Sequence, residues 1–157
     1  MNYNIWLESI PSSITNDALW QMNLYRMALF LSDLAWYDSR KLIQDRSLIS
    51  LADQLYRAVG SISANISEGY SRASGKDQAR FYEYALGSAR EARDWYYKSR
   101  HVLKDAVVNH RMSLLAEIIR QLLTLIPRYR HKTIKEEQTS YEANPISELL
   151  QKVPIFE

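Results

Sequence analysis

Apolar residues return every third or fourth position along four long stretches of this chain, and nowhere do they alternate with polar ones over a strand's length. That rhythm gathers them on one face of a helix. Only four Gly and four Pro punctuate the 157 residues, too few for an all-β chain that turns every ten residues or so. The first stretch predicts a helix from 13–15 to about 37, with Ser13, Thr15 and Asn16 as candidate N-caps and Asp17 in its first turn. Its stripe is Trp20, Leu24, Met27, Ala28, Leu31, Leu34 and Ala35. A second apolar stripe, Met22, Tyr25, Leu29 and Trp36, lies about a third of a turn away. One helix of a small bundle needs a single buried face, so the second stripe is expected at a subunit interface.

The second helix is predicted over 50–68, with Leu51, Leu55, Ala58, Ile62 and Ile66 inward and Gly69 as a left-handed C-terminal stop. Beside its apolar stripe runs a polar one, Arg57, Ser61, Asn65 and Glu68, expected as a buried or half-buried network that fixes helix register. The third helix is predicted over 75–103, with Ser74 as N-cap, Phe81, Ala85, Ser88, Ala92, Trp95, Ser99 and Leu103 inward, and Tyr82 and Leu86 exposed for a partner subunit. After a turn at 105–109 the fourth runs to about Ile126, where Pro127 is expected to end or kink it. Four helices with short loops imply an all-α, up-down-up-down four-helix bundle. The expected division is an N-terminal extension at 1–15, the bundle at 16–132 and an acidic, flexible tail at 133–157, able to dock on a neighbour through Leu149, Leu150, Val153 and Phe156.

Chemistry is excluded more readily than assigned. No cysteine is present, which removes disulfides, thiol nucleophiles and thiolate metal sites. No Glu has a His three residues on, as di-iron bundles require. His101, His110 and His131 are scattered and expected at the surface, so no metal or cofactor is expected. Gly69 to Lys76 is one residue too long for a phosphate loop and is followed by Asp77. No nucleophile–base set emerges, and a non-enzymatic role is expected. With no basic leader and no long apolar run, a cytoplasmic location is expected and no membrane contact.

The net charge of +2 hides an asymmetry. Residues 1–135 hold 19 Lys/Arg against 13 Asp/Glu, and residues 136–157 hold one base against five acids. Arg93, Tyr97, Arg100 and Lys104 share one face of the third helix, with Arg90 beside them. Arg72, Lys76 and Arg80 add charge at its start, and Arg128, Arg130 and Lys132 follow the fourth helix. Guanidinium groups suit phosphates and tyrosine offers bases a stacking surface, so these residues are the expected nucleic-acid interface.

The stretch from Arg57 to Arg72 resembles the R-A-x-x-S-I-x-x-N-I-x-E-G-x-x-R signature of the 23S rRNA-intervening-sequence, or S23-like, proteins. Matching positions are Arg57, Ser61, Asn65, Glu68, Gly69 and Arg72, followed by Phe81, Ala85, Gly87, Ser88 and Glu91. The resemblance implies a bundle assembled into a homo-oligomeric ring, with a pentamer favoured. It also implies kinship with the accessory variability determinant proteins of diversity-generating retroelements, which bind a reverse transcriptase and nucleic acid. The expectation is therefore an oligomeric adaptor for nucleic acid, RNA ahead of DNA, with a reverse transcriptase as a candidate partner. The alternative is a scaffold ring that holds protein alone.

Overall fold

The computed structural model describes residues 2–130 and 146–154, with the side chains of 146 and 147 left aside. Lys132, His131 and Phe156, all invoked above, lie outside the described residues. The long helices are α3 (Asn23–Leu42), α4 (Ile49–Tyr70), α5 (Gly75–Ser99) and α6 (Asp105–Arg130). Short ones flank them: α1 (Tyr3–Ser9), α2 (Ser12–Thr15) and α7 (Ile146–Gln151), with 3-10 turns at Ala18–Gln21 and Arg46–Leu48. No strand occurs among the described residues. Each long helix packs against the next in sequence, and α6 also meets α3. Their shared core holds Met27, Phe30, Leu31 and Leu34 from α3, Leu55, Ile62 and Ile66 from α4, and Leu115, Ile118, Leu122 and Ile126 from α6.

The first long helix starts later than its periodicity suggests. Residues 12–21 are spent in α2 and a 3-10 turn, and the Asp17 carboxylate caps the Leu19 N–H of that turn at 2.8 Å. Residues 1–15, expected as an extension, bring a plug into the core. Tyr3 and Trp6 are buried; Trp6 packs on Phe30 at 5.0 Å between centroids and donates its indole N–H to Asp33 at 2.6 Å. An indole buried with its N–H satisfied is among the larger apolar contributions a side chain can make.

Gly69 is not a helix stop. α4 runs through it to Tyr70, because its role is spacing: a Cβ there would sit 2.8 Å from the Tyr82 ring and 3.1 Å from the Phe81 Cβ. That contact overturns the expected exposure of Tyr82 and Leu86. Both are buried, since α5 packs through Ala79, Tyr82, Ala85, Leu86, Ala89, Ala92 and Tyr96, while Phe81, Ser88 and Trp95 are half-buried. Alanines at the contact let α4 and α5 approach closely, and Tyr82 fills the space over the missing Gly69 side chain.

The start of α5 follows its local code: the Ser74 hydroxyl accepts the Asp77 N–H at 3.1 Å and bonds its carboxylate at 2.7 Å. α6 begins directly at Asp105, where a turn was expected, and continues past Pro127. Only the last turn follows the proline, and it is held by tertiary contact. Ile126 is buried, Tyr129 meets Tyr82 edge-on at 5.4 Å, and the Tyr129 carbonyl lies 2.9 Å from where a Gly75 Cβ would be. No helix among the described residues is long and apolar enough to cross a membrane.

Candidate nucleic-acid interface

α5 carries most of the proposed cations, and their places along it follow from helix geometry. Arg80 and Tyr97 are separated by about 26 Å at 1.5 Å per residue, so the set is strung along the helix as a track rather than a cluster, and Lys104 lies beyond the end of α5, just before α6. At its start the Arg80 guanidinium stacks on Tyr84, 5.6 Å from the ring centroid, and donates to the Tyr84 hydroxyl at 2.7 Å. At its end Arg100 lies 3.9 Å over Tyr97, which is 52% exposed, and bonds the Tyr97 carbonyl at 2.8 Å. Lys98 stands 4.2 Å over Trp95. Arg90 and Lys104 are exposed and Arg93 is half-buried. Such cation-capped aromatic faces present charge and a stacking plane together.

Other expected contributors are diverted. Arg72 pairs with Glu68 one turn back while lying 4.5 Å over Phe81, and Arg130 reaches Glu83 of α5 at 2.8 Å. Lys76 is exposed in the first turn of α5. Arg128 points elsewhere: with Arg120, Met22 and Gln121 it lines a shallow cleft of about 250 Å³ between the start of α3 and the second half of α6. Asp94 pairs with Lys98 one turn on.

The polar stripe of α4 is local rather than a buried interhelical network. Arg57 is 73% exposed and pairs with Asp53, 3.0 Å away and one turn back. Asn65 donates to the Ser61 carbonyl at 2.8 Å, and Glu68 holds Arg72. Ser61 and Asn65 are half-buried and Glu68 is exposed. These are helix-neighbour interactions, each stabilising by tenths of a kcal/mol or so. Of the residues expected at a subunit interface, Met22, Tyr25 and Leu29 are half-buried against their own core. Burial, with the nearby Asp17 charge adding to it, pushes the Tyr25 hydroxyl above its ordinary pKa. Trp36 is 48% exposed, and with Tyr56 at 6.1 Å and Arg40 5.8 Å over its ring it forms an open aromatic patch.

The most unusual chemistry escaped the periodicity argument. Asp38 and Arg111, both fully buried, form a two-pronged pair: Nε to Oδ2 at 2.8 Å and Nη2 to Oδ1 at 3.1 Å. The Tyr96 hydroxyl donates to the same carboxylate at 2.9 Å, and burial followed by the Asp38 charge holds that phenol well above its usual pKa. Arg111 also donates to His110 Nδ1 at 2.9 Å and to the Pro154 carbonyl at 3.0 Å. His110, expected at the surface, is buried, and its Nε2 meets the Leu149 carbonyl. Burial and the neighbouring guanidinium lower its pKa to about 4. A register signal did exist. Asp38 continues the stripe Leu31–Leu34–Leu42, and Arg111 sits between Val107 and Leu114–Leu115, so both are charges at core positions. Among the described residues no group of three metal-ligating side chains gathers.

A family model described as 23S rRNA-intervening sequence protein matches residues 21–124, from the end of the first 3-10 turn through most of α6. No curated protein and no solved structure matches the chain.

Proposed function

We propose a function for this chain on one premise: it belongs to the 23S rRNA-intervening sequence protein family. It acts as a non-enzymatic, oligomeric nucleic-acid-binding adaptor, an up-down-up-down bundle assembled into a ring, with RNA ahead of DNA as the ligand. The observation that carries this reading is the pair of cation–aromatic stacks along α5, Arg80 on the exposed Tyr84 near its start and Arg100 on the exposed Tyr97 at its end. A guanidinium already stacked on a ring can bond phosphate while the ring accepts a base. Ring symmetry would repeat the track and multiply its field. A reverse transcriptase of a diversity-generating retroelement is the protein partner this adaptor would serve.

The test is binding to single-stranded RNA across a salt series. Affinity should fall steeply with salt and vary little with sequence, since phosphate contacts dominate. Arg93, Arg100 and Lys104 changed together to Glu should abolish binding with helicity intact; undiminished binding removes this face from the interface. A second reading, a ring that scaffolds protein alone, draws on the Trp36–Tyr56 patch with Ile43 and Ile49 exposed nearby in sequence. Loss of a partner on Trp36→Ala, with no nucleic acid bound at any salt, would favour it.

A further inference from the structure

The residues from Glu148 to Pro154 lie on the body of the same chain, against α6 and α1. Leu149 is buried, and Leu150 and Val153 pack on the core from its edge. The hold is modest in apolar terms, and two backbone carbonyls complete it. Leu149 offers one to His110 Nε2, and Pro154 offers the other to Arg111 Nη2 at 3.0 Å. We propose that this segment is a latch on the bundle that lets go when His110 takes up a proton.

The hydrogen-bond pattern admits one protonation state. Arg111 has only donors, so the Nδ1 it meets at 2.9 Å must be an unprotonated acceptor. The single imidazole proton therefore sits on Nε2 and is donated to the Leu149 carbonyl. A second proton on Nδ1 sets N–H against N–H and cation against cation in a dry site. Arg111 cannot yield, because Asp38 grips it through two bonds and both side chains are wholly buried. The imidazolium must turn toward water, and the Leu149 bond goes with it.

Among the described residues, charged and titratable groups on the surrounding elements do not offset this. α6 contributes Arg111 and, in its first turn, Asp105; α3 contributes Asp38, already spent on Arg111. Tyr96 of α5 donates to Asp38, and the exposed Glu148 of α7 is engaged by Lys152 at 3.1 Å. α1 carries Glu8 on its exposed side. With His110 at about 4 when latched against an ordinary 6.5 when released, linkage weakens the latch by about 30-fold between pH 7.5 and pH 5.

The chain has no native cysteine, so a nitroxide label on Gln151→Cys, at an exposed position of α7, reports latch motion alone. In the full chain the label should be slow at pH 7.5 and become mobile between pH 6 and 4, while far-UV circular dichroism shows the bundle intact. The transition should coincide with titration of the His110 imidazole followed by NMR. His110→Gln can accept from Arg111 and donate to Leu149 without titrating, and should keep the label slow at pH 5. Leu149→Asp should free it at every pH and mark the released signal. A label that stays slow to pH 4 in a folded chain overturns the proposal. So does release at a pH where His110 does not titrate, or release of His110→Gln with the parent's pH profile. Should His110→Gln be loose already at pH 7.5, the coincidence of the two parent titrations decides.

Discussion

Replacing Arg111 by Met is the sharpest test of how the four long helices are locked together. The variant removes both bonds to Asp38 and leaves a wholly buried carboxylate with the Tyr96 hydroxyl as its remaining partner. Taking one member from a buried ion pair costs about 3–5 kcal/mol, chiefly because the other charge stays behind without water. With a urea m-value of about 2 kcal/mol/M, the denaturation midpoint should fall by about 1.5–2.5 M. A rescue variant completes the test. Asp38→Leu combined with Arg111→Met removes both charges and should recover most of the loss, because a pair replaced by apolar groups of similar size is often neutral. Urea unfolding followed by circular dichroism measures both variants and, with Asp38→Leu alone, completes a double-mutant cycle. A single-variant loss under about 1 kcal/mol, or a double variant no more stable than the worse single, would refute the reasoning that burial makes this pair costly to split.

Two further stability predictions read individual contacts by the same denaturation assay. Gly69→Ala should destabilise by about 1–3 kcal/mol, because its methyl meets the Tyr82 ring and Phe81 inside a packed contact. Gly60→Ala, with nothing within 4 Å of the added atom, should stabilise by about 0.5–1 kcal/mol through helix propensity; equal effects at the two positions would contradict the spacing role given to Gly69. Trp6→Ala should cost about 3–5 kcal/mol, and a loss no larger than that of an exposed aromatic such as Tyr70 would show that the N-terminal plug does not contribute to the core.

Helical class, and the start of α5 at the Ser74–Asp77 capping pair, were legible because a turn's worth of sequence decides them. What stayed hidden depends on residues far apart along the chain. Gly69 reads as a stop by local rules, yet its reason is a ring thirteen positions on. The buried face of α5 is not legible locally, because Tyr82 looks amphipathic in isolation and only the close approach of α4 turns it inward. Pro127 reads as a breaker until Tyr129 is seen against Tyr82 and Gly75. Asp38 and Arg111 are 73 positions apart, and either charge alone reads as a flaw in an apolar stripe. Helical spacing keeps Arg93, Tyr97 and Arg100 on one side of α5, but the helix expected to reach residue 103 ends at Ser99, so Lys104 falls beyond it. Of the side-chain partners, Glu68 stands one turn before Arg72 and is offered by helical spacing, whereas Glu83, 47 positions from Arg130, is brought to it by packing that periodicity does not encode.

The placement of the tryptophans gives the molecule an optical asymmetry. Trp6 and Trp20 are sealed in the core, and Trp95 is half-covered and bonded to Glu91 at 3.2 Å. Trp36 is the most exposed of the four, with about half its surface in water, beside Tyr56 and under the Arg40 guanidinium. An aqueous quencher such as acrylamide therefore meets Trp36 first, and the accessible fraction of the emission belongs chiefly to that one ring. Whatever settles over that patch shields it and blue-shifts its light, so the protein reports occupancy of that face without any added dye.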